Sequence, residues 1–106
     1  MKIKVPKQIQ VGGHWYGIIF DEGQRDDGHA ATTVWRKQRM AIDPSLPESG
    51  KVESLVHEII HLVNQVYCHQ ELREQDVDPL SEGLYQVFSQ LGIELDWSEI
   101  ETVEDK

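Results

Sequence analysis

A chain of 106 residues, 39% hydrophobic and 27% charged, builds one modest core and is too short for two domains of ordinary size. Ten Lys and Arg against nineteen Asp and Glu leave a formal charge of -9, so the phosphate attraction behind nucleic-acid binding is missing and neither DNA nor RNA is expected as a ligand. No apolar run approaches the ~20 residues of a membrane span, and the single cysteine, Cys68, excludes an internal disulfide and leaves any metal to histidine and carboxylate.

The start, Met1-Lys2-Ile3-Lys4, leads into strand-like sequence rather than the apolar stretch of a signal peptide, and the expectation is a cytoplasmic protein. Ile3-Lys4-Val5, Ile9-Gln10-Val11 and Trp15 to Phe20 are short β-prone runs broken by Pro6 and Gly12-Gly13. Gly12-Gly13-His14 reads as a hairpin turn. Asp21 to Gly28 is polar and lacks apolar periodicity, which predicts a loop closed by His29. Its acidic pairs, Asp21-Glu22 and Asp26-Asp27, do not have the spacing of a calcium loop. Ala30 to Trp35 and Arg39 to Asp43 form a second candidate hairpin around Arg36-Lys37-Gln38, and Pro44 and Pro47 end the sheet region.

From Val52 the period changes. Val52, Leu55, Val56, Ile59, Ile60, Val63 and Val66 recur every 3.6 residues, predicting an amphipathic helix that starts between Glu48 and Ser54. A second helix carries Leu80, Leu84, Val87, Phe88 and Leu91 on one stripe, with Asp78 as N-cap, Pro79 at the first helical position and Gly92 as the stop. The linker from Cys68 to Val77 is short, so the helices should run antiparallel as neighbours. These elements predict an α+β domain over residues 1–98, a small, mainly antiparallel sheet packed on a two-helix hairpin. The acidic residues 99–106 are expected to fray.

The first helix contains His57-Glu58-Ile59-Ile60-His61, an HExxH sequence. Residues i and i+4 lie ~40° apart on a helix, so the two imidazoles project side by side and can hold one Zn²⁺ from two points. Glu58 falls ~100° from His57, beside the metal, where a general base has to sit. On the wheel a polar arc of Ser54, His57, Glu58, His61, Asn64 and Gln65 opposes the aliphatic arc, which turns the motif toward a cleft or solvent. The plain alternative is a solvated helix face carrying two histidines.

Such a site needs a third protein ligand and an open position for water. Glu71, Glu74, Asp76, Asp78 and Glu82 are the candidates. A hairpin folded near residues 70–72 sets ~80–83 opposite His61, which favours Glu82. Gly83 removes a side chain where the helices approach, and Gln86, one turn on, is a candidate brace for a histidine. Asp78 is the next choice of ligand, with helix capping as its ordinary role, and Glu74 would require the second helix to begin earlier. Tyr85 is a candidate hydrogen-bond donor to the reacting carbonyl, or a packing residue. His14, His29, His69 and Cys68 carry no assigned chemistry.

His57-Glu58-Ile59-Ile60-His61 followed by Ser81-Glu82-Gly83-Leu84-Tyr85-Gln86 resembles a pared-down gluzincin, the zincin class in which a Glu on a later helix completes the zinc site. More closely, the small sheet, Ile42-Asp43-Pro44, Leu55-Val56-His57-Glu58-Ile59-Ile60-His61 and Glu82-Gly83-Leu84-Tyr85-Gln86-Val87-Phe88 are similar to small zincin-like metallopeptidases of bacteriophage and prophage genomes. This resemblance spans roughly residues 1–95 and is more distant to the larger ImmA/IrrE-type peptidases of mobile elements. It implies His57, His61 and Glu82 as zinc ligands, Glu58 as catalytic base, a peptide or protein substrate, and a strand at Ala30 to Val34 that pairs with an extended peptide. The alternative is a metal-stabilised protein-interaction module of phage origin without catalysis.

Overall fold

The computed structural model describes residues 1–26, without the side chains of 25 and 26, and residues 30–103. The N-terminal part consists of β1 (Lys2–Lys4), β2 (Gln8–Val11), β3 (His14–Asp21), a single helical turn α1 (Gly23–Asp26), β4 (Ala31–Val34), a 3₁₀ turn at Trp35–Lys37 and β5 (Arg39–Ile42). The helices α2 (Glu48–Tyr67) and α3 (Glu74–Gln90) follow, then β6 (Glu94–Asp96) and β7 (Thr102–Val103). His29, Gly28 and Asp27 lie outside the described residues.

Two-residue alternation builds the central sheet. In β3, Tyr16, Ile18 and Phe20 are buried while Trp15 between them and the turn remains 51% exposed. β2 and β3 pair antiparallel with Val11 opposite His14, so the chain turns on Gly12 and Gly13. Both have positive φ, which suits glycine, and a Cβ on Gly12 would collide with Val66 of α2. β4 and β5 form the second hairpin, closed by Gln38 in the left-handed region. The two hairpins join through a parallel pairing of β3 with β5, giving the order β2-β3-β5-β4 with β4 at an edge. The fold is thus α+β with a mixed sheet. β1 and β6 make a separate parallel pair.

α2 lies across this sheet. Leu55 and Leu62 enter the core with Tyr16, Ile18, Phe20, Met40 and Ile42, and a fully buried leucine such as Leu62 contributes about 1.5–3 kcal/mol. Ile100 joins the same core and Thr102–Val103 pairs in parallel with the end of β3, so the segment from 99 to 103 is held in place rather than frayed. Residues 104–106 lie outside the described residues. Among the described residues no helix is long and apolar enough to cross a membrane.

α3 differs from expectation in two respects. It begins at Glu74, four residues before Asp78, because the backbone N–H and side chain of Arg73 both donate to Asp76 and close the first turn. Pro79 therefore lies inside the helix, where its ring leaves the Gln75 carbonyl without its helical donor. The packed face is also not the expected stripe: Val77 and Ser81 are buried, whereas Leu80, Leu84, Val87 and Leu91 are exposed.

Candidate metal centre

The hairpin between α2 and α3 sets the site. Asn64 is buried in the last turn but one of α2, and its side chain both donates to the Leu72 carbonyl (3.0 Å) and accepts from the Leu72 N–H (3.1 Å). Its backbone carbonyl accepts from Cys68 and Gln70. His69 and Gln70 take positive φ to make so tight a reversal. The linker is thus confined to residues 68–73 and α3 begins at Glu74, so the carboxylate opposite His61 lies eight positions before Glu82.

Two carboxylates of α3 face the motif. Glu74 bridges both imidazoles, with Oε1 3.1 Å from His57 Nε2 and Oε2 3.1 Å from His61 Nε2. Those two nitrogens are 3.0 Å apart. Asp78 Oδ1 lies 3.2 Å from the other nitrogen of His57, Nδ1. Among the described residues, the groupings of three or more His, Cys, Asp or Glu able to share an ion are His57, Glu58, His61 and His57, Glu74, Asp78. The i, i+4 spacing of the histidines on α2 is matched by the i, i+4 spacing of Glu74 and Asp78 on the antiparallel α3.

This places Glu74 rather than Glu82 beside the histidines. Glu82 is exposed and lies two turns beyond Glu74, outside both groupings; Glu74, ranked third from sequence, occupies the place assigned to it. Asp78 meets the outer nitrogen of His57, as a bracing residue does. Gln86 is exposed one turn further along than Glu82, and Tyr85 lines a separate apolar cavity with Phe88, Val52 and Ile59. His14 and His69 are exposed. The signal for Glu74 was present in the sequence as a carboxylate four residues before Asp78, with Asp76 placed to close a first turn at Arg73.

Glu58 and Asn64 lie on the arc expected to face a cleft or solvent, yet both are buried. Glu58 is 5% exposed because it turns toward the edge strand, where Thr33 Oγ1 donates to its Oε1 at 2.6 Å. Its second oxygen, Oε2, lies 4.0 Å from His57 Nε2. A carboxylate in this position has one oxygen fixed and the other presented to the histidine pair. Sequence offered no sign of Thr33, whose contact with Glu58 spans 25 residues.

The donor set fits a cation. A carboxylate only accepts hydrogen bonds, so Asp78 selects the Nδ1–H tautomer of His57 and leaves a lone pair on Nε2. His57 Nε2 and the Glu74 oxygens then converge as acceptors, joined by His61 Nε2 when its proton is on Nδ1, all 3.0–3.1 Å apart. Two imidazoles with one carboxylate form a donor set that would suit a zinc ion.

A cavity of about 440 Å³ lined by Ala30, Leu46, Gly50, Glu53 and Ser54 lies on one side of the motif. Another of about 330 Å³, lined by Thr32, Thr33, Trp35, His61 and Glu74, lies on the other. Ala31, His57 and Glu58 belong to both, so a groove runs along β4 and past the donor cluster. Compared with protein-family models, curated proteins and solved structures, the chain finds no match.

Proposed function

We propose that this protein is a zinc-dependent peptidase that hydrolyses a peptide bond of a peptide or protein laid along β4. The observation that carries this reading is the Glu74 carboxylate between two Nε2 atoms, with Glu58 Oε2 only 4.0 Å from His57 Nε2. His57, His61 and Glu74 are the ligands, and Asp78 braces His57 through Nδ1. When bound, zinc supplies a Lewis acid for the scissile carbonyl and lowers the pKa of water at its open position. Glu58 takes the proton of the attacking water at Oε2 and returns it to the leaving amine. Thr33 holds Oε1 throughout and so keeps the other oxygen aimed at the reacting atoms. β4, at the edge of the sheet, offers main-chain groups to an extended substrate.

Protein prepared without chelator should contain about one zinc per chain by elemental analysis and cleave a mixed peptide pool, with fragments read by mass spectrometry. Glu58→Gln should keep zinc and fold and lose cleavage. A chain that takes up no zinc at pH 6 or pH 8 would overturn the reading. Zinc binding with no hydrolysis of any peptide in the pool would favour the non-catalytic interaction module.

A further inference from the structure

The groove along β4 is not chemically uniform. On the side of Trp35 its carboxylates are Glu58 and Glu74, both engaged, the first with Thr33 and the second with the two imidazoles. The cavity of about 440 Å³ on the other side is lined by three carboxylates, Glu53, Glu58 and Asp78, and among the described residues no lysine or arginine lines it. Glu58 is bound to Thr33 and Asp78 to His57. Glu53 is partly buried and, among the described residues, has neither a hydrogen-bond nor an ion-pair partner. The nearest cation in sequence, Lys51, is held over the Phe20 ring, its Nζ 5.5 Å from the centroid.

Position ties Glu53 to the reacting centre. It precedes His57 by four residues on α2, so the two residues share a face and stand one turn, about 6 Å, apart along the axis. Ala30, Ala31, Gly50 and Ser54 are small and leave room between β4 and the helix, while Leu46 supplies an apolar wall. In a chain laid along β4, a residue next to the bond at Glu58 has this cavity beside it.

Charge selects what enters. An acidic side chain would meet three carboxylates, and an apolar one would strip water from Glu53 without giving it a partner. A lysine or arginine lays its methylene stem on Leu46 and the alanines and brings a full charge with hydrogen-bond donors to the Glu53 carboxylate. The formal charge of -9 draws basic peptides toward the same groove.

We infer, resting on the peptidase reading proposed above, that this cavity is the specificity pocket and takes a lysine or arginine side chain next to the scissile bond. Glu53 selects that side chain and takes no part in breaking the bond.

The zinc-loaded full chain is given a mixed peptide pool and the cleaved bonds are read by mass spectrometry. They should cluster next to Lys and Arg. One cleaved sequence is then remade with norleucine or Glu in place of the basic residue, norleucine keeping the stem of lysine without its charge. For the parent, kcat/KM should fall about 10- to 100-fold with norleucine, the worth of a hydrogen bond to a charged group, and further with Glu. Glu53→Gln should remove most of the difference between Lys and norleucine, and Glu53→Lys should turn the preference toward Glu. Glu53 has no partner to lose, so zinc content and circular dichroism should match the parent in both variants. In Glu58→Gln, which holds peptides without cutting them, the Lys peptide should bind more tightly than the norleucine peptide by fluorescence anisotropy, and adding Glu53→Gln should abolish that order. Cleavage spread over the pool without regard to basic residues, or a Lys preference that survives in Glu53→Gln and Glu53→Lys alike, overturns the inference and leaves the peptidase reading standing. A zinc-loaded parent that cuts no peptide overturns that reading and this one with it.

Discussion

Thr33 spends its only hydroxyl proton on Glu58, and the consequence is measurable without any metal. Thr33→Val leaves a carboxylate that is 5% exposed without its donor, which should lower the unfolding free energy by about 1–3 kcal/mol in a denaturant titration of metal-free protein. Thr33→Ser should restore most of it. Glu58→Gln retains an acceptor oxygen for Thr33, which is why it should fold normally. The carboxylates of α3 separate by chelator competition. Glu74→Ala removes a proposed ligand and should abolish tight zinc binding, whereas Asp78→Asn, which leaves all three proposed ligands, should weaken it about 10- to 100-fold. Glu82→Ala should bind zinc as the parent does; equal losses for Glu74→Ala and Glu82→Ala would remove the bridging role of Glu74.

At the scale of the element, the first turn of α3 matters because it carries Glu74. The Arg73 backbone N–H donates to Asp76 at 3.0 Å and its Nε at 3.2 Å, and these bonds hold the Asp76 carboxyl below the ordinary aspartate range. A carboxyl whose folded value is depressed adds its stability above the unfolded value of ~3.9 and loses it as pH falls through the folded one. The Arg73 amide resonance should therefore titrate with a midpoint below that of a free aspartate, and Asp76→Asn should flatten the titration. Asp76 is partly exposed and its effect is local. Asn64 acts on the same geometry from the other helix: Asn64→Ala leaves the Leu72 N–H and carbonyl without their partners and should cost about 1–3 kcal/mol. Zinc affinity should fall with it, because the reversal it clamps sets Glu74 opposite the histidines.

For the whole molecule, a metal held by His57, His61 and Glu74 would link α2 to α3. An ion that binds only the folded state adds its binding free energy to folding, and free zinc at ~100 times its Kd contributes about 2.7 kcal/mol. For a domain of this size that is a rise of about 10–20 °C in Tm, to be seen by calorimetry. The shift should vanish in His57→Ala with His61→Ala. A zinc-dependent rise that survives in that double variant would mean that the stabilising ion binds elsewhere.

Periodicity alone located α2 and the first hairpin of this chain. The 3.6-residue recurrence from Val52 to Val66 marks α2, whose observed span is Glu48–Tyr67, and glycine pairs between alternating runs mark the β2–β3 hairpin. The HExxH spacing places two imidazoles and a carboxylate around one helix regardless of what that helix packs on. A period, however, says which residues share a face and not what that face meets. Leu80, Leu84, Val87 and Leu91 share a stripe in the sequence, but the tertiary structure buries Val77 and Ser81 instead. Which carboxylate of α3 faces the histidines depended on how the chain reverses, and the linker that Asn64 clamps sets Glu74 rather than Glu82 beside them. Ile100 enters the core, and β7 pairs with β3 across some eighty residues. Thr33 meets Glu58 only because β4 lies at the sheet edge beneath α2. Local pattern carries local structure; contacts between distant residues are set by how the elements pack, which no single segment encodes.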